Sequence, residues 1–292
     1  MKKLLLLSAV LAGSILSAAE PVQVIQKKAQ VYRPERYSLR EEVTISNKHN
    51  RYPLVFTLSK PVGEKPQQFA MNLGGKTNHN FVGGFFSLTV NGIKMQELDF
   101  EKEKLSLWKE GDCSGMDLKL NFDGTKFTLR LFMRPDSPVL WGRLIYDKES
   151  VEPLTKAVVE FQALPSLLKI INKKVIFNGS YDREMITPAK TYTHNSKWVK
   201  LTPQDTSFIF QDKELDGSSE KKGAGPCWLF VDQSGVASGE ALVRSSWKIY
   251  LKFELKKDFQ EMRFGIWQPA ARISNSALAE RLKTDSAAFT FK

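Results

Sequence analysis

The fold is decided by residues Met116–Met133, MDLKLNFDGTKFTLRLFM. Apolar residues occupy every second position on both sides of Asp123-Gly124, which is typical of strands with one buried face. Asp-Gly favours a two-residue type I′ turn, because both residues tolerate a positive φ. The stretch therefore predicts an antiparallel hairpin, with Asp117 opposite Arg130 on its polar face. Its facing apolar pairs are Leu120 with Phe127, Leu118 with Leu129, and Met116 with Leu131.

Two shorter stretches predict hairpins in the same way. Asn91-Gly92 is a strong turn signal, and Asn172-Lys173 is a weaker one between alternating apolar residues. The predicted pairs are Val90 with Ile93 and Leu88 with Met95 in the first hairpin, and Ile170 with Val175 and Leu168 with Phe177 in the second.

The last two predicted strands, 247–255 and 261–267, also alternate between apolar and polar residues. A four-residue loop over 256–259 would join them as a hairpin. The apolar pairs would then be Phe253 with Met262, Leu251 with Phe264, and Ile249 with Ile266. The polar face would pair Lys248 with Trp267, Tyr250 with Gly265, and Lys252 with Arg263.

Strand patterns recur along the chain, and a single stretch, Ser276–Lys283, has helical spacing. We therefore predict an all-β fold, an antiparallel two-sheet β-sandwich over residues 20–292 with one short C-terminal helix. Residues 147–153 are the candidate internal boundary, so one large sandwich and two smaller ones stay open.

The composition is that of an ordinary globular protein. The 292 residues are 42% hydrophobic and 26% charged, and 43 Lys plus Arg against 32 Asp plus Glu leave a net charge of +11. Disordered, collagenous and coiled-coil classes are excluded.

The N-terminus has the pattern of a secretory signal peptide. Lys2 and Lys3 precede an apolar run over 4–16, and small residues follow at 17–19. We expect cleavage after Ala19 and a secreted or periplasmic protein. No later stretch is long and apolar enough to span a bilayer, so we expect no transmembrane segment after cleavage.

The sequence contains two cysteines, Cys113 and Cys227. In an oxidising compartment such a pair is usually a disulfide, so we predict a Cys113–Cys227 bridge, with two buried free thiols as the alternative. The three histidines, at 49, 79 and 194, lie far apart, and no nucleotide-binding motif is present. We expect no metal and no cofactor.

Aromatic residues on the polar side of strands are the candidate ligand-binding residues, because flat rings stack on the C–H faces of sugars. Trp108, Trp198 and Trp267 are out of phase with the apolar positions around them. The predicted last hairpin combines such an aromatic residue with cations, and Trp198 with Lys200 makes a second candidate. The proposed strip on that hairpin comprises Lys248, Tyr250, Lys252, Arg263 and Trp267.

Weak catalytic candidates lie in two stretches. Tyr192 and His194 are two residues apart and would share a strand face, which suits acid–base chemistry next to a uronate carboxylate. Asp182 and Glu184 could supply carboxylates for glycoside hydrolysis, which requires two of them across the scissile bond.

His79 is a further weak catalytic candidate, in a glycine-flanked loop. Thr77-Asn78-His79 resembles a short string around a histidine in aldose 1-epimerases, whose galactose-mutarotase-like fold is a large β-sandwich. The resemblance covers three residues, earlier in the chain than in that family, and we transfer no catalytic role on it.

Together these features favour an exported protein that binds or processes carbohydrate, with an anionic polysaccharide as the expected partner because of the basic charge. Nucleic acid is a poor candidate for an exported protein. One alternative is a non-catalytic envelope scaffold that contacts another protein. A second alternative is a polysaccharide lyase, epimerase or glycoside hydrolase.

Overall fold

The computed structural model describes residues 21–28, 34–73, 85–100, 104–163, 168–171, 174–177, 183–212, 227–244 and 248–268. Over these residues the protein is built of antiparallel strands, with short 3₁₀ turns at Met95–Glu97 and Gln233–Gly235. This confirms the all-β fold class. The predicted helix and signal peptide lie outside the described residues. The described part of the chain has no helix with the length and hydropathy needed to cross a membrane.

In the part of the chain that the structure describes, the strands form four sheets, with the following orders from edge to edge. The nine-stranded sheet contains β15 (Thr191–Tyr192), β14 (Arg183–Ile186), β17 (Ser207–Asp212), β18 (Cys227–Val231), β21 (Glu261–Trp267), β10 (Leu140–Tyr146), β9 (Thr125–Met133), β8 (Cys113–Phe122) and β7 (Lys104–Glu110). The six-stranded sheet contains β16 (Val199–Lys200), β19 (Val236–Val243), β20 (Ile249–Leu255), β11 (Ala157–Ala163), β5 (Phe86–Val90) and β6 (Ile93–Lys94). The four-stranded sheet contains β1 (Gln23–Lys28), β2 (Tyr37–Ser46), β3 (Arg51–Ser59) and β4 (Gln68–Leu73), and the two-stranded sheet contains β12 (Leu168–Ile171) and β13 (Lys174–Phe177).

The sheets form two layers around one continuous apolar core. The nine-stranded sheet is one layer. The six- and four-stranded sheets form the other layer and pack on its inner face. Phe264 of β21 contacts Phe86 and Phe161 of the six-stranded sheet, with ring centroids 5.9 and 5.1 Å apart. Tyr52 of the four-stranded sheet is fully buried and donates its hydroxyl to the carbonyl of Pro138 at 2.6 Å.

The β8–β9 hairpin forms with the predicted register. All three predicted apolar pairs face each other and are buried. Asp123 and Gly124 have φ values of 51° and 95°, as a type I′ turn requires. On the outer face, the Nε and Nη2 atoms of Arg130 donate to the two carboxylate oxygens of Asp117, both at 2.8 Å.

Of the two shorter hairpins, one is confirmed in full and the other in part. In β12–β13, both predicted pairs form. In β5–β6, Val90 faces Ile93, but the pairing ends at Lys94. The predicted Leu88–Met95 pair is absent, because Met95 begins a 3₁₀ turn and its side chain is buried in the core.

The predicted hairpin between β20 and β21 is wrong. β20 pairs with β11 and β19 in the six-stranded sheet, whereas β21 pairs with β10 and β18 in the nine-stranded sheet. The chain crosses between layers at Lys256–Gln260 instead of turning back within one sheet. Both arrangements bury the same alternating apolar residues, so the local pattern does not distinguish them.

The predicted disulfide is also wrong, because Cys113 and Cys227 are free thiols. They lie on β8 and β18, with β9, β10 and β21 between these strands. Four interstrand steps of about 4.8 Å separate the two backbones by roughly 19 Å. A disulfide requires Cα atoms within about 7 Å of each other, so the fold excludes this bridge.

We therefore expect a reducing agent to leave the thermal stability of the protein unchanged. Two thiols per chain should react with a maleimide after unfolding, and Cys227 should be protected in the native state because it is fully buried. Thermal unfolding with and without dithiothreitol, followed by mass spectrometry of the labelled chain, measures both effects. A melting temperature that falls on reduction would contradict the observed strand order.

Candidate functional site

The candidate site lies on the outer face of the six-stranded sheet. Along β20, Ile249, Leu251 and Phe253 point into the core, and the alternate side chains point outward. Trp198 directly precedes β16 at the edge of the same sheet. The structure thus brings together most of the two predicted groups of binding residues. We call this surface the Trp198 strip, comprising Trp198, Lys200, Lys248, Tyr250 and Lys252.

The aromatic centre of the strip is a contact between Trp198 and Tyr250. Their ring centroids are 6.4 Å apart in an edge-on arrangement. The Nζ atom of Lys252 lies 5.0 Å from the Trp198 ring centroid, within the range of a cation–π interaction. Trp198 is 39% exposed, although a tryptophan is normally covered in a folded protein. An indole held by two neighbours and still open to solvent is suited to stacking on a flat apolar surface.

Charges of alternating sign cross the strip from strand to strand. In register, Lys200 lies opposite Glu240, Glu240 opposite Lys252, and Lys252 opposite Glu160. The Nζ atom of Lys252 is 3.7 Å from a carboxylate oxygen of Glu160. Opposite charges in directly facing positions stabilise a sheet and fix the side chains. The strip is consequently an aromatic surface with nearly balanced charge.

Lys248 closes one end of the strip. Its Nζ atom donates to Oε1 of Gln162 on β11 at 2.8 Å. Burial lowers the pKa of Lys248, because desolvation disfavours the ammonium form. Gln162 also lies directly opposite Tyr250, so this end combines an ammonium, an amide and a phenol.

A groove adjoins the other end of the strip. It has a volume of about 500 Å³ and is bounded by β16, β19 and the turn at Gln233–Gly235. Lys200 of the strip also lines the groove, as do Glu240, which faces it, and Lys256. The Nζ atom of Lys256 donates to the carbonyl of Ser234 at 2.7 Å. An extended ligand on the strip could continue into this groove.

Two predicted strip residues lie elsewhere, because β21 belongs to the other layer. Arg263 is on the outer face of the nine-stranded sheet, opposite Arg143. Trp267 is 4% exposed, so its predicted position on an open face is wrong. Its ring packs 5.9 Å from that of Trp228 in a second apolar cluster on that outer face. Both faces of β21 are buried at its C-terminal end. Alternation of apolar and polar residues predicts one buried face, so it did not indicate this.

The predicted pair of Tyr192 and His194 does not share a face. The strand ends at Tyr192, which is 4% exposed and donates its hydroxyl to Oδ2 of Asp205 at 3.0 Å, whereas His194 is exposed. Burial and the neighbouring Asp205 carboxylate raise the pKa of Tyr192. This arrangement orients the phenol as a structural donor to a buried carboxylate.

Of the other catalytic candidates, Glu184 is the one that lies within the described residues. Glu184 of β14 accepts a hydrogen bond from the amide of Gln211 on the neighbouring strand. His79 and Asp182 lie outside the described residues. In the described part of the chain, no group of three or more His, Cys, Asp or Glu side chains is placed to hold a metal ion.

The partners that order the strip could not be identified from local sequence pattern. Glu160, Gln162 and Glu240 each contact or face a strip residue, but they belong to strands far away in the chain. The alternation of Glu160 and Gln162 with buried Val159 and Phe161 was the available signal. It identifies an outward face without showing which strand lies beside it.

Comparison with protein-family models and with curated proteins found no match. Among solved structures, a quadruple mutant of the α-N-acetylgalactosaminidase from Bifidobacterium bifidum aligns with a TM-score of 0.50 at 9% identity, over 85% of this chain and 39% of that chain. A TPR-domain containing protein from Parabacteroides distasonis aligns with a TM-score of 0.47 at 8% identity, over 89% of this chain and 55% of that chain. The chain thus spans about half or less of the length of these neighbours. The likeness to the galactosaminidase shows the fold alone, a β-sandwich of a kind found in glycoside hydrolases.

Proposed function

We propose that this protein binds carbohydrate through the Trp198 strip. The observation that carries the proposal is the exposed indole of Trp198, held by Tyr250 and Lys252 among hydrogen-bonding side chains. A sugar ring offers an apolar face to the indole and hydroxyl groups to the surrounding lysine, carboxylate and amide groups. Part of the α-N-acetylgalactosaminidase has a similar sandwich fold. This similarity is consistent with the proposal, but the proposal does not depend on it.

Binding has more support than catalysis. The strip is an open sheet face, and the neighbouring carboxylates of Glu160 and Glu240 face lysines on adjacent strands. Catalysis by general acid and base requires titratable groups that converge on one reacting atom. Tyr192 faces the buried Asp205 and His194 faces solvent, so this pair supports a lyase or epimerase less than the strip supports binding.

The charge balance of the strip favours a neutral glycan at this surface. Lys200 and Lys252 alternate with Glu240 and Glu160, so an added carboxylate or sulfate would meet acidic as well as basic side chains. The anionic polysaccharide predicted from the net charge therefore has less support here than a neutral one.

The test is affinity electrophoresis of residues 20–292 through gels containing dextran, xylan or galactomannan. We expect at least one of these neutral polysaccharides to retard the protein, and Trp198→Ala to weaken that binding about tenfold, since stacking contributes on the order of 1–2 kcal/mol. Salt should change the retardation little. Leu107→Ala is the matched control, because Leu107 is 43% exposed at the edge of the nine-stranded sheet.

Two outcomes would count against the proposal. If no neutral polysaccharide retards the protein, neutral glycans are not its ligands. If Trp198→Ala and the natural protein are retarded equally, the Trp198 strip is not the binding site. New reducing ends or unsaturated products in the same mixtures would instead identify an enzyme.

An exported location is part of this proposal and is supported by the pattern of residues 1–19. When the full chain is produced in a bacterial host, we expect the protein recovered outside the cytoplasm to begin at Glu20. N-terminal sequencing measures this directly. A recovered chain that still begins with Met1 would contradict the predicted cleavage.

A further inference from the structure

A row of polar residues crosses the outer face of the six-stranded sheet beside Trp198. In register, Lys252 of β20 lies opposite Glu240 of β19 and Glu160 of β11. Lys200 of β16 continues the row beyond Glu240, and Ser87 of β5 continues it beyond Glu160. Four interstrand steps of about 4.8 Å give the row a length of roughly 19 Å. We call it the polar row, comprising Lys200, Glu240, Lys252, Glu160 and Ser87.

The polar row is nearly neutral and partly fixed by its own contacts. The Nζ atom of Lys252 lies 3.7 Å from a carboxylate oxygen of Glu160, and the two side chains are 37 and 34% exposed. Ammonium groups, which only donate hydrogen bonds, alternate with carboxylates, which only accept them. A sugar hydroxyl both donates and accepts, so it can bind at either kind of position.

The two ends of the polar row lead to further polar groups. At one end, Lys200 and Glu240 line the groove of about 500 Å³, so a long ligand can continue past the row. At the other end, Nε2 of Gln96 donates to Oγ of Ser87 at 2.7 Å. Ser87 is buried and Gln96 is half-buried, so a ligand meets the amide of Gln96 there. An amide has two N–H groups and a carbonyl oxygen, which lets Gln96 bind a further hydroxyl.

The indole of Trp198 extends along the sheet beside the polar row. Its ring contacts that of Tyr250 on β20, although β19 lies between β16 and β20. Leu242 is on the outer face of β19, opposite Tyr250, and is 6% exposed. Because Val199 faces Ala241, the register places Trp198 beside Leu242. The indole therefore reaches across β19 over Leu242, and a sugar ring stacked on it would lie along the sheet.

We propose that the ligand of the Trp198 strip is a linear β-1,4-linked polysaccharide that lies across the strands along the polar row. Equatorial 1,4-linkages give an extended ribbon, whereas α-linked chains curve or coil away from a sheet. The interstrand spacing is close to the length of one sugar unit, so about four successive units can each meet a residue of the row. This inference rests on the proposed function and adds the linkage, the orientation and the length of the bound chain.

The test is isothermal titration calorimetry of residues 20–292 with cello-, xylo- and manno-oligosaccharides of increasing length. We expect the affinity for at least one series to rise from the disaccharide to the tetrasaccharide and to change little in the hexasaccharide. Malto- and isomalto-oligosaccharides, which are α-linked, should bind about tenfold more weakly, which corresponds to the loss of one or two hydrogen bonds.

Gln96→Ala separates the far end of the polar row from Trp198. It should weaken hexasaccharide binding about fivefold, since one hydrogen-bonding group is lost, and leave disaccharide binding at Trp198 unchanged. Gln26→Ala is the matched control, because it removes the same group from an exposed position on β1 of the four-stranded sheet. Circular dichroism checks the fold of both variants, and the length series of the natural protein needs neither of them.

Three results would overturn the proposal. A disaccharide bound as tightly as the hexasaccharide would indicate recognition of a chain end. Equal affinity for α-linked chains, or no binding of any β-1,4-linked series, would remove the linkage. Equal effects of Gln96→Ala and Gln26→Ala on the hexasaccharide would remove the polar row. In each case, binding of another neutral glycan that is lost in Trp198→Ala would leave the proposed function intact, so the two failures are separate results.

Discussion

Replacing Gly142 with alanine is expected to lower the free energy of unfolding by about 3 kcal/mol, at the upper end of the range for overpacked cores. Gly142 lies on the inner face of β10, directly opposite Phe264 of β21. A Cβ at this position would overlap the ring of Phe264, with three ring atoms involved. That ring cannot shift freely, because Phe86 and Phe161 of the other layer contact it.

Urea unfolding measures this change. Gly63→Ala is the matched control, because Gly63 has a positive φ of 59° but nothing within 4 Å of an added Cβ. It should cost about 1 kcal/mol, from backbone conformation alone. Equal costs at the two positions would contradict the packing of Phe264 over Gly142. A smaller residue at 264 should partly rescue the Gly142→Ala variant, because it removes the clash.

Asp205→Asn is expected to lower the free energy of unfolding by about 2 kcal/mol at neutral pH. Asp205 is fully buried, and its Oδ2 atom accepts hydrogen bonds from the backbone N–H and hydroxyl of Thr202, at 2.7 and 2.9 Å, and from Tyr192. Burial opposes ionisation, but the hydrogen bonds from Thr202 and Tyr192 hold the pKa of Asp205 below its ordinary value.

The lowered pKa of Asp205 determines how its contribution to stability depends on pH. A carboxyl whose native pKa is lowered stabilises the fold fully above its ordinary pKa of 3.8, and this contribution is lost as the pH falls through the native value. The difference between the natural protein and Asp205→Asn should therefore shrink as the pH falls below 3.8. Urea unfolding at several pH values measures it. Asp258→Asn, at an exposed position, is the control, and a difference independent of pH would contradict the ionised, hydrogen-bonded Asp205.

The predicted single strip mixed residues of two surfaces, because it treated β20 and β21 as neighbours. Lys248, Tyr250 and Lys252 lie in the six-stranded sheet, whereas Arg263 and Trp267 belong to the nine-stranded sheet. The binding surface that remains is the Trp198 strip, whose exposed indole lies among charges of alternating sign.

Local pattern was sufficient wherever a hairpin turn fixed the partner strand. Asp123-Gly124 requires positive φ at both turn residues, so the turn sets the register of β8 and β9 and places Asp117 beside Arg130. The same reasoning places Val90 opposite Ile93. It fails one step later at Met95, because core packing there draws the chain into a 3₁₀ turn.

The sequence by itself determined the strands, their inward and outward faces, and the hairpins closed by two-residue turns, because these depend on alternation and on turn residues a few positions apart. Tertiary structure alone decided which distant strands became neighbours. It put β20 and β21 in different sheets, separated Cys113 from Cys227, buried Trp267, and set Arg130, Arg143 and Arg263 in one row. The physical reason is that an alternating strand buries the same apolar face beside many different partners, so strand order follows from the packing of the whole core.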